Sequence, residues 1–433
     1  MKPIVAIVGR PNVGKSRLFN RVVGHRRAIV ADVPGVTRDR HYAPAEWLGK
    51  EFIVVDTGGL DLDPAADLEH AISAQSMNAI EEADAVICLF DGQLDPNPSD
   101  KDVVHMLRKI SKPVIFAVNK VDEEIHETSL ATYHEMGVKE LFAISAEHGR
   151  GVDDMLDKLL KLIPEAQVLG SVDEKPNTIA VAGRPNVGKS TLINTLAGSN
   201  RVVVHEKAGT TRDAIDVEVE FNGCTYTFID TAGVKRGWGI SERLEKFTAM
   251  RSLRTIDRAS VVLQLVDATE GITKQDLNLT GFVLEQGKGL ILLVNKWDMV
   301  QSKWNEYKKD VEHALGQMSD VPIFAISAKT GLNCLDIFEH LDQMEQALSA
   351  TITTSQLNRI LEQALSRHHL PVHKGKQVQI KYATQIGTHP PTFVLFSNFP
   401  AAVPYTYRRY LINKLKQAIG AKGAPVRIVC KRK

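Results

Sequence analysis

The chain has 433 residues, 43% of them apolar, and a formal net charge of +1. That length predicts about three domains, and no apolar run nears the ~20 residues that span a bilayer, so no membrane role is expected. The small net charge conceals a segregation: from Ala350 to Lys433 fourteen Lys and Arg face one acid, Glu362, which makes +13 there and −12 over the rest.

The opening segment, MKPIVAIVGRPNVGKS, reads as a strand running into a G-x-x-x-x-G-K-S phosphate loop, not as a signal peptide. That loop is Gly9, Arg10, Pro11, Asn12, Val13, Gly14, Lys15 and Ser16. Downstream, FIVVD, AVICLF, PVIFAVNK and LFAIS read as buried strands, while Gly14 to Val23, Asp100 to Ile110 and Val152 to Ile163 carry helical spacing. Alternating strands and helices predict an α/β domain with a mostly parallel sheet covered on both faces. This domain is expected over 1–164, and the polar stretch 165–177 reads as a linker. GRPNVGKS then returns letter for letter as Gly183, Arg184, Pro185, Asn186, Val187, Gly188, Lys189 and Ser190. Other elements repeat in the same order. Thr37-Arg38-Asp39 matches Thr211-Arg212-Asp213, and Asp56-Thr57-Gly58-Gly59 matches Asp230-Thr231-Ala232-Gly233. Asn119-Lys120-Val121-Asp122 matches Asn295-Lys296-Trp297-Asp298, and FAISA occurs at both Phe142 and Phe324. A second copy of the domain is therefore expected over 178–349. The remainder, 350–433, reads as helix (Ser355 to Ser366), strand (Val378 to Ala383), strand (Thr392 to Phe396), helix (Tyr405 to Ile419) and strand (Val426 to Cys430), a small α+β domain. Four scattered cysteines, Cys88, Cys224, Cys334 and Cys430, lack metal or redox spacing and suit a reduced cytoplasm as ordinary thiols.

Each repeated element has a physical task. Gly9, Gly14, Gly183 and Gly188 let backbone N–H groups close on phosphate oxygens, and the helix that follows adds its positive end. Lys15 and Lys189 supply a point charge for the β and γ phosphates, and Ser16 and Ser190 a hydroxyl for Mg²⁺. Asp56 and Asp230, ending strands, can hold the Mg²⁺ shell. Gly59 and Gly233 can bring an N–H to the γ phosphate, and Thr37 and Thr211 can reach the same metal in segments that order with triphosphate. The N-K-x-D quartets choose the base. A carboxylate at Asp122 or Asp298 accepts from the N1–H and N2 amine of guanine, a donor pair that adenine lacks on that edge. Asn119 and Asn295 support the ring, and the stems of Lys120 and Lys296 can lie along it. Thr57, Gly58, Leu60, Val121, Ser145, Ala146, Thr231, Ala232, Val234, Trp297, Ser327, Ala328 and Lys329 complete the expected GTP/GDP-binding set.

The position after D-x-x-G, a water-orienting glutamine in Ras-like enzymes, holds Leu60 and Val234. Either both sites bind and turn over slowly, or another group supplies charge: an arginine finger, or a monovalent cation for which the amides of Asn12 and Asn186 are candidates.

The tandem GRPNVGKS loops, the segments PGVTRD and AGTTRD, DTGG and DTAG, NKVD and NKWD, and the basic tail together resemble the bacterial Der (EngA) GTPases, of the TrmE-Era-EngA-YihA-Septin-like group. The resemblance covers essentially the whole chain. It implies two P-loop (Ras-like) G domains followed by a KH-like domain, and a cytoplasmic, ribosome-associated factor, monomeric or ribosome-bound, acting in maturation of the large (50S) ribosomal subunit. It also implies GTP hydrolysis stimulated by potassium, with Asn12 and Asn186 matching the asparagine that holds that ion. Departures are small: Ala208-Gly209 stands where the first copy has Pro34-Gly35, and the linker is short and only modestly acidic.

A tail this basic fits a nucleic-acid or phosphate partner, which the resemblance implies is ribosomal RNA, or docking onto the acidic remainder of its own chain. Gly420-Ala421-Lys422-Gly423 has the letters of a KH G-x-x-G loop, but lies before the last strand and reads as a helix stop and turn. RNA contact would then come from Lys374, Lys376, Lys381, Arg408, Arg409, Lys414 and Lys416, of which Arg408, Arg409 and Lys416 could instead meet a G domain. Tyr405, Tyr407 and Tyr410 read as core. The leading function is a GTPase switch in ribosome assembly. The alternative is an RNA-binding scaffold whose nucleotides are structural. A tRNA-modification or transport GTPase would need a modification domain or membrane spans, which the chain does not carry.

Overall fold

A computed structural model describes residues 2–24, 42–57, 74–96, 98–122, 133, 136–138, 140–163, 177–199, 202–208, 215–229, 249–318, 320–368, 370–373, 375–421 and 423–432. The chain forms two compact units, one around the first repeat and one holding the second repeat with the C-terminal residues.

In the first unit the strands are β1 (Ile4–Val8), β2 (Tyr42–Trp47), β3 (Lys50–Asp56), β4 (Ala85–Asp91), β5 (Val114–Asn119) and β6 (Leu141–Ala143). They lie in the order β2-β3-β1-β4-β5-β6. All neighbours are parallel except β2 and β3, which form an antiparallel edge hairpin. The helices are α1 (Lys15–Gly24), α2 (Ala74–Glu82), α3 (Pro98–Leu107) and α4 (Val152–Leu162). The central strands are continuous apolar runs because both sheet faces are covered. Val5, Ile7, Leu18, Phe19, Val54, Ile87, Leu89, Met155 and Leu159 share one core.

The second unit repeats this architecture. Its strands are β7 (Thr178–Ala182), β8 (Val203–Ala208), β9 (Ile215–Phe221), β10 (Cys224–Phe228), β11 (Val261–Asp267), β12 (Gly289–Asn295) and β13 (Ile323–Ala325), in the order β13-β12-β11-β7-β10-β9-β8. The helices that follow in chain order are α5 (Lys189–Ala197), α6 (Ala249–Arg258), α7 (Lys274–Glu285), α8 (Trp304–Leu315) and α9 (Asp336–Ser349); of these, α6 is divided between the two units after Arg254. The sheet departs from uniform strand–helix alternation at one edge, where β8, β9 and β10 run antiparallel. Between β9 and β10 the physical reason is a two-residue turn. Asn222 (φ 51°) and Gly223 (φ 80°) both sit at positive φ, the type I′ geometry that folds a strand straight back on its neighbour. Leu48 (φ 47°) and Gly49 (φ 81°) make the corresponding turn between β2 and β3.

The C-terminal residues form α10 (Thr354–Arg367), the short pair β14 (Val372–His373) and β15 (Lys376–Gln377), then β16 (Ile380–Gly387), β17 (Thr392–Ser397), α11 (Tyr405–Ile419) and β18 (Arg427–Arg432). β16 and β17 are antiparallel, while β18 lies parallel to β17 after the α11 crossover. Thr353 caps α10 by accepting from Gln356 N. This module shares one continuous core with the second G domain: Leu357, Leu361, Phe393, Leu411 and Ile428 belong to the same buried cluster as Phe338 and Leu341 of α9. His389 N donates to Leu348 O at 3.0 Å, and His389 Nε2 meets Glu345 Oε1 at 2.5 Å. Among the described residues no helix is long and apolar enough to cross a membrane.

Candidate functional site

Both GRPNVGKS loops leave the carboxyl end of a central strand, β1 or β7, and enter α1 or α5. Their backbones agree closely: Gly9 and Gly183 have φ 145°, Gly14 and Gly188 φ 98°, Asn12 and Asn186 φ 65° and 62°. A Cβ on Gly9 would come 2.3 Å from Leu89 O, and one on Gly14 2.2 Å from Asn119 Nδ2. The equivalent approaches at Gly183 and Gly188 are 2.6 Å to Leu265 O and 2.3 Å to Asn295 Nδ2. The glycines are thus needed for close neighbours as well as for φ.

Lys15 Nζ donates to the carbonyls of Gly9 (2.7 Å) and Arg10 (2.8 Å). Lys189 Nζ does the same to Gly183 (3.0 Å) and Arg184 (2.6 Å). Ser16 Oγ donates to Asp56 Oδ2 at 2.5 Å, and Asp56 is 2% exposed at the end of β3. A hydroxyl and a carboxylate meeting beside a phosphate loop are a hard-oxygen set that fits Mg²⁺. Thr57 faces inward, its Oγ1 donating to Ile7 O. Val13 and Val187 belong to the cores, whereas Pro11, Asn12, Pro185, Asn186 and Ser190 are exposed.

Asn119 and Asn295 join three loops. Their amides donate to Val13 O (2.8 Å) and Val187 O (2.7 Å), and their carbonyl oxygens accept from Ala146 N (2.9 Å) and Ala328 N (2.8 Å). They would support a guanine ring by fixing the phosphate, N-K-x-D and FAISA loops to one another. Ser145 Oγ donates to the exposed Asp122 at 2.7 Å; Asp298 and Lys329 are exposed and Ser327 is fully buried. Val121 N and Trp297 N each donate, at 3.1 Å, to the FAISA-loop residues Ile144 O and Ile326 O. In the first unit Asn12, Gly14, Lys15, Ser16, Asn119 and Asp122 line one cleft of about 640 Å³, within the range of small-ligand sites. Thr37, Gly58, Gly59, Leu60, Thr211, Asp230, Thr231, Ala232, Gly233 and Val234 lie outside the described residues.

Sequence reasoning missed several residues. The ammonium of Lys120 meets Asp91 at 2.5 Å and that of Lys296 meets Asp267, so each lysine head is tethered to the end of β4 or β11. Burial pushes the Asp267 carboxyl up, but Lys296 and the hydroxyl and N–H of Thr269 outweigh it and hold the group below its ordinary range. The signal was present: both apolar runs, AVICLFD and VVLQLVD, end in Asp. Arg10 and Arg184 do not end in solvent. Arg10 Nε donates to Asp100 at 2.7 Å, and Arg184 reaches Asp276 and Glu270. In the second unit Trp297 lies edge-on to Trp304 and Tyr307, both at 5.2 Å between centroids.

On the basic module the structure separates the candidate cations. Arg408 is 8% exposed, donating to Val403 O (3.0 Å) and Pro400 O (3.3 Å), so it is a structural cation rather than an RNA contact. Lys416 pairs with Asp320 of the second G domain at 2.7 Å. Lys376 and Lys381 are exposed, Arg409 and Lys414 half-buried, and Lys374 lies outside the described residues. Gly420 (φ 70°) ends α11, and Gly423 sits so close to the second G domain that a Cβ would lie 2.7 Å from Pro322 Cδ. This G-x-x-G therefore turns the chain against a domain face. Tyr407 is buried and donates to His368 O at 2.7 Å, and Tyr410 crosses it edge-on; the Tyr405 side chain lies outside the described set.

Two P-loop domains carrying N-K-x-D quartets, joined to a small α+β module, define a tandem-G-domain GTPase. Residues 4–120 and 178–296 each match the family model of the 50S ribosome-binding GTPase, and 351–431 match the KH-domain-like model of EngA bacterial GTPase enzymes, C-terminal. GTPase Der of Geotalea uraniireducens (strain Rf4) is 42% identical over 434 residues, 100% of this chain and 98% of that one. GTPase Der of Geobacter metallireducens (strain ATCC 53774 / DSM 7210 / GS-15) is 44% identical over 432 residues, 99% and 98% of the two chains. That of Desulfitobacterium hafniense (strain DSM 10664 / DCB-2) is 43% identical over 436 residues, 100% and 98%. The chain belongs to the GTPase Der (EngA) family.

Proposed function

We propose that both G domains bind and hydrolyse GTP and that their nucleotide state switches the chain during maturation of the large (50S) ribosomal subunit, with the KH-like module contacting ribosomal RNA. The observation that carries this reading is the pairing of two loops of one backbone conformation with a strongly basic module built into the core of the second G domain. Domain limits at 1–164, 178–349 and 350–433, with 165–177 as the linker, are part of the proposal.

In each site the loop N–H groups and Lys15 or Lys189 would hold the β and γ phosphates, and Asp122 or Asp298 would select guanine. Ser16 and Asp56, and by repetition Ser190 and Asp230, would hold Mg²⁺, which supplies positive charge to the phosphate oxygens. Thr37, Thr211, Gly59 and Gly233 belong to the same proposed set. Asn12 lines the cleft, and its side chain carries an amide oxygen, a donor type suited to a hard monovalent cation. Asn12 and Asn186 are accordingly proposed to hold K⁺, whose charge would stand where other GTPases insert an arginine. A monomeric, cytoplasmic, ribosome-associated protein is the setting this reading implies. The test is co-sedimentation of the full chain with ribosomal particles. More protein should pellet with a non-hydrolysable GTP analogue than with GDP, and equal pelleting overturns the switch.

A further inference from the structure

The two sites share their chemical residues, but the supports behind their phosphate loops differ. In each loop the second residue is an arginine whose carbonyl accepts a hydrogen bond from the loop lysine, Arg10 O from Lys15 and Arg184 O from Lys189. Whatever anchors that arginine also fixes where the lysine's anchor point lies. In the first site the described residues give Arg10 one carboxylate, Asp100 Oδ1 at 2.7 Å. In the second, Arg184 Nε is shared between both oxygens of the fully buried Asp276, each at 3.1 Å, and Nη1 donates to Glu270 Oε2 at 2.6 Å. Asp276 is itself fixed by a reciprocal cap at the start of α7: its carboxylate accepts from Thr273 N (3.0 Å) and Thr273 Oγ1 (2.7 Å), and Thr273 Oγ1 accepts from Asp276 N.

Glu270 stands in a turn that the first site also has. After β11, Thr269 N donates to Asp267 Oδ1 and Glu270 N to Asp267 O; after β4, Gln93 N donates to Asp91 Oδ1 and Leu94 N to Asp91 O. Leu94 thus occupies the position of Glu270. It is 58% exposed and has no charge to offer Arg10.

We propose that Arg184 is a positioning residue that acts through Lys189, and that Glu270, replaced by Leu94 in the first site, makes the second phosphate loop the more firmly held, so that the second site releases guanine nucleotide more slowly. This rests on reading the two loops as guanine-nucleotide sites. Nucleotide release requires the loop to yield around the β phosphate. A loop braced by charge-assisted hydrogen bonds to a buried carboxylate and to a second acid yields less readily.

The experiment loads the full-length protein with fluorescently labelled GDP and follows release after a chase with excess unlabelled GDP. Two phases are expected. Glu270→Leu should speed the slow phase about two- to fivefold, the range for a largely exposed ion pair, and leave the fast phase alone. Leu94→Glu should slow the fast phase by a similar factor. Arg184→Lys should speed the slow phase further than Glu270→Leu. In all three variants the preference for GDP over IDP should stay as in the wild type, because the base quartets are untouched; a general loosening of the fold would move it. A single wild-type phase, a slow phase indifferent to Glu270→Leu, or acceleration of the fast phase instead overturns the inference while the loops remain nucleotide sites. A wild-type protein that retains no labelled GDP overturns the site reading as well.

Discussion

At Gly14 and Gly188 one methyl group separates a working loop from a broken one. Each residue sits at φ 98°, with a side-chain amide, Asn119 or Asn295, where its Cβ would lie. Gly14→Ala therefore strains the backbone and displaces the amide that joins the base loop to Val13. A strained backbone position costs about 1–3 kcal/mol. The expected outcome is a Tm lowered by several degrees, read by scanning calorimetry, and a GDP affinity at that site reduced at least tenfold with the other site unaffected, read by calorimetric titration of the variant against the wild type. The same asparagines illustrate what residue type alone conceals. Support of the guanine ring was expected of them, and the hydrogen bonds describe how such support would be transmitted, through Val13, Val187, Ala146 and Ala328.

Among the elements, α9 carries a titratable contact with a measurable signature. His340 lies flat on Phe324 of β13, ring centroids 3.4 Å apart, and its Nδ1 is buried. Burial lowers the His340 pKa below its ordinary value, and Gln343, Glu339 and Asp336 oppose this without cancelling it. The folded state thus takes up the proton less readily than the unfolded chain, for which ~6.5 applies. Below that pH the unfolded state binds more protons, so stability falls as the pH drops. His340→Phe should flatten this slope between pH 6.5 and 5 in melts monitored at the second unit. An unchanged slope would assign it to other groups. The edge hairpins teach a different lesson about elements. Asn222-Gly223 carries a strong hairpin signal that the reading of strand–helix alternation passed over, whereas Leu48-Gly49 carries none, because leucine has no intrinsic preference for positive φ.

For the molecule as a whole, the distribution of charge is divided by tertiary contacts. Of the basic module's cations, Arg408 and Lys416 are used internally, while Lys376 and Lys381 remain exposed. If the module meets RNA phosphates, the exposed pair should carry part of the salt dependence. Replacing both Lys376 and Lys381 by Gln should reduce the slope of log affinity against log salt by roughly one to two, in binding measured to ribosomal RNA across a salt series. Lys416→Gln should change that slope little, because its charge is already paired with Asp320. A slope that falls for Lys416→Gln and not for the exposed pair would reverse the assignment.

The duplicated α/β domain, the mostly parallel sheets, the position of each phosphate loop at a strand end and the basic C-terminal module were all readable in the sequence. They rest on local signals: apolar runs, helical spacing and motif letters whose order repeats along the chain. The ties of Lys120 to Asp91 and Lys296 to Asp267, the anchoring of Arg184 on Asp276 and Glu270, and the sorting of Arg408 and Lys416 away from the exposed lysines were not. Each joins residues far apart in the chain or depends on the direction of a side chain, and an arginine in solvent and one on a buried carboxylate are written with the same letter. The sequence by itself determined that two guanine-type loops exist and that they look alike. Only the tertiary structure decided that their supports differ, because that difference lies in which carboxylates the fold brings to the same arginine.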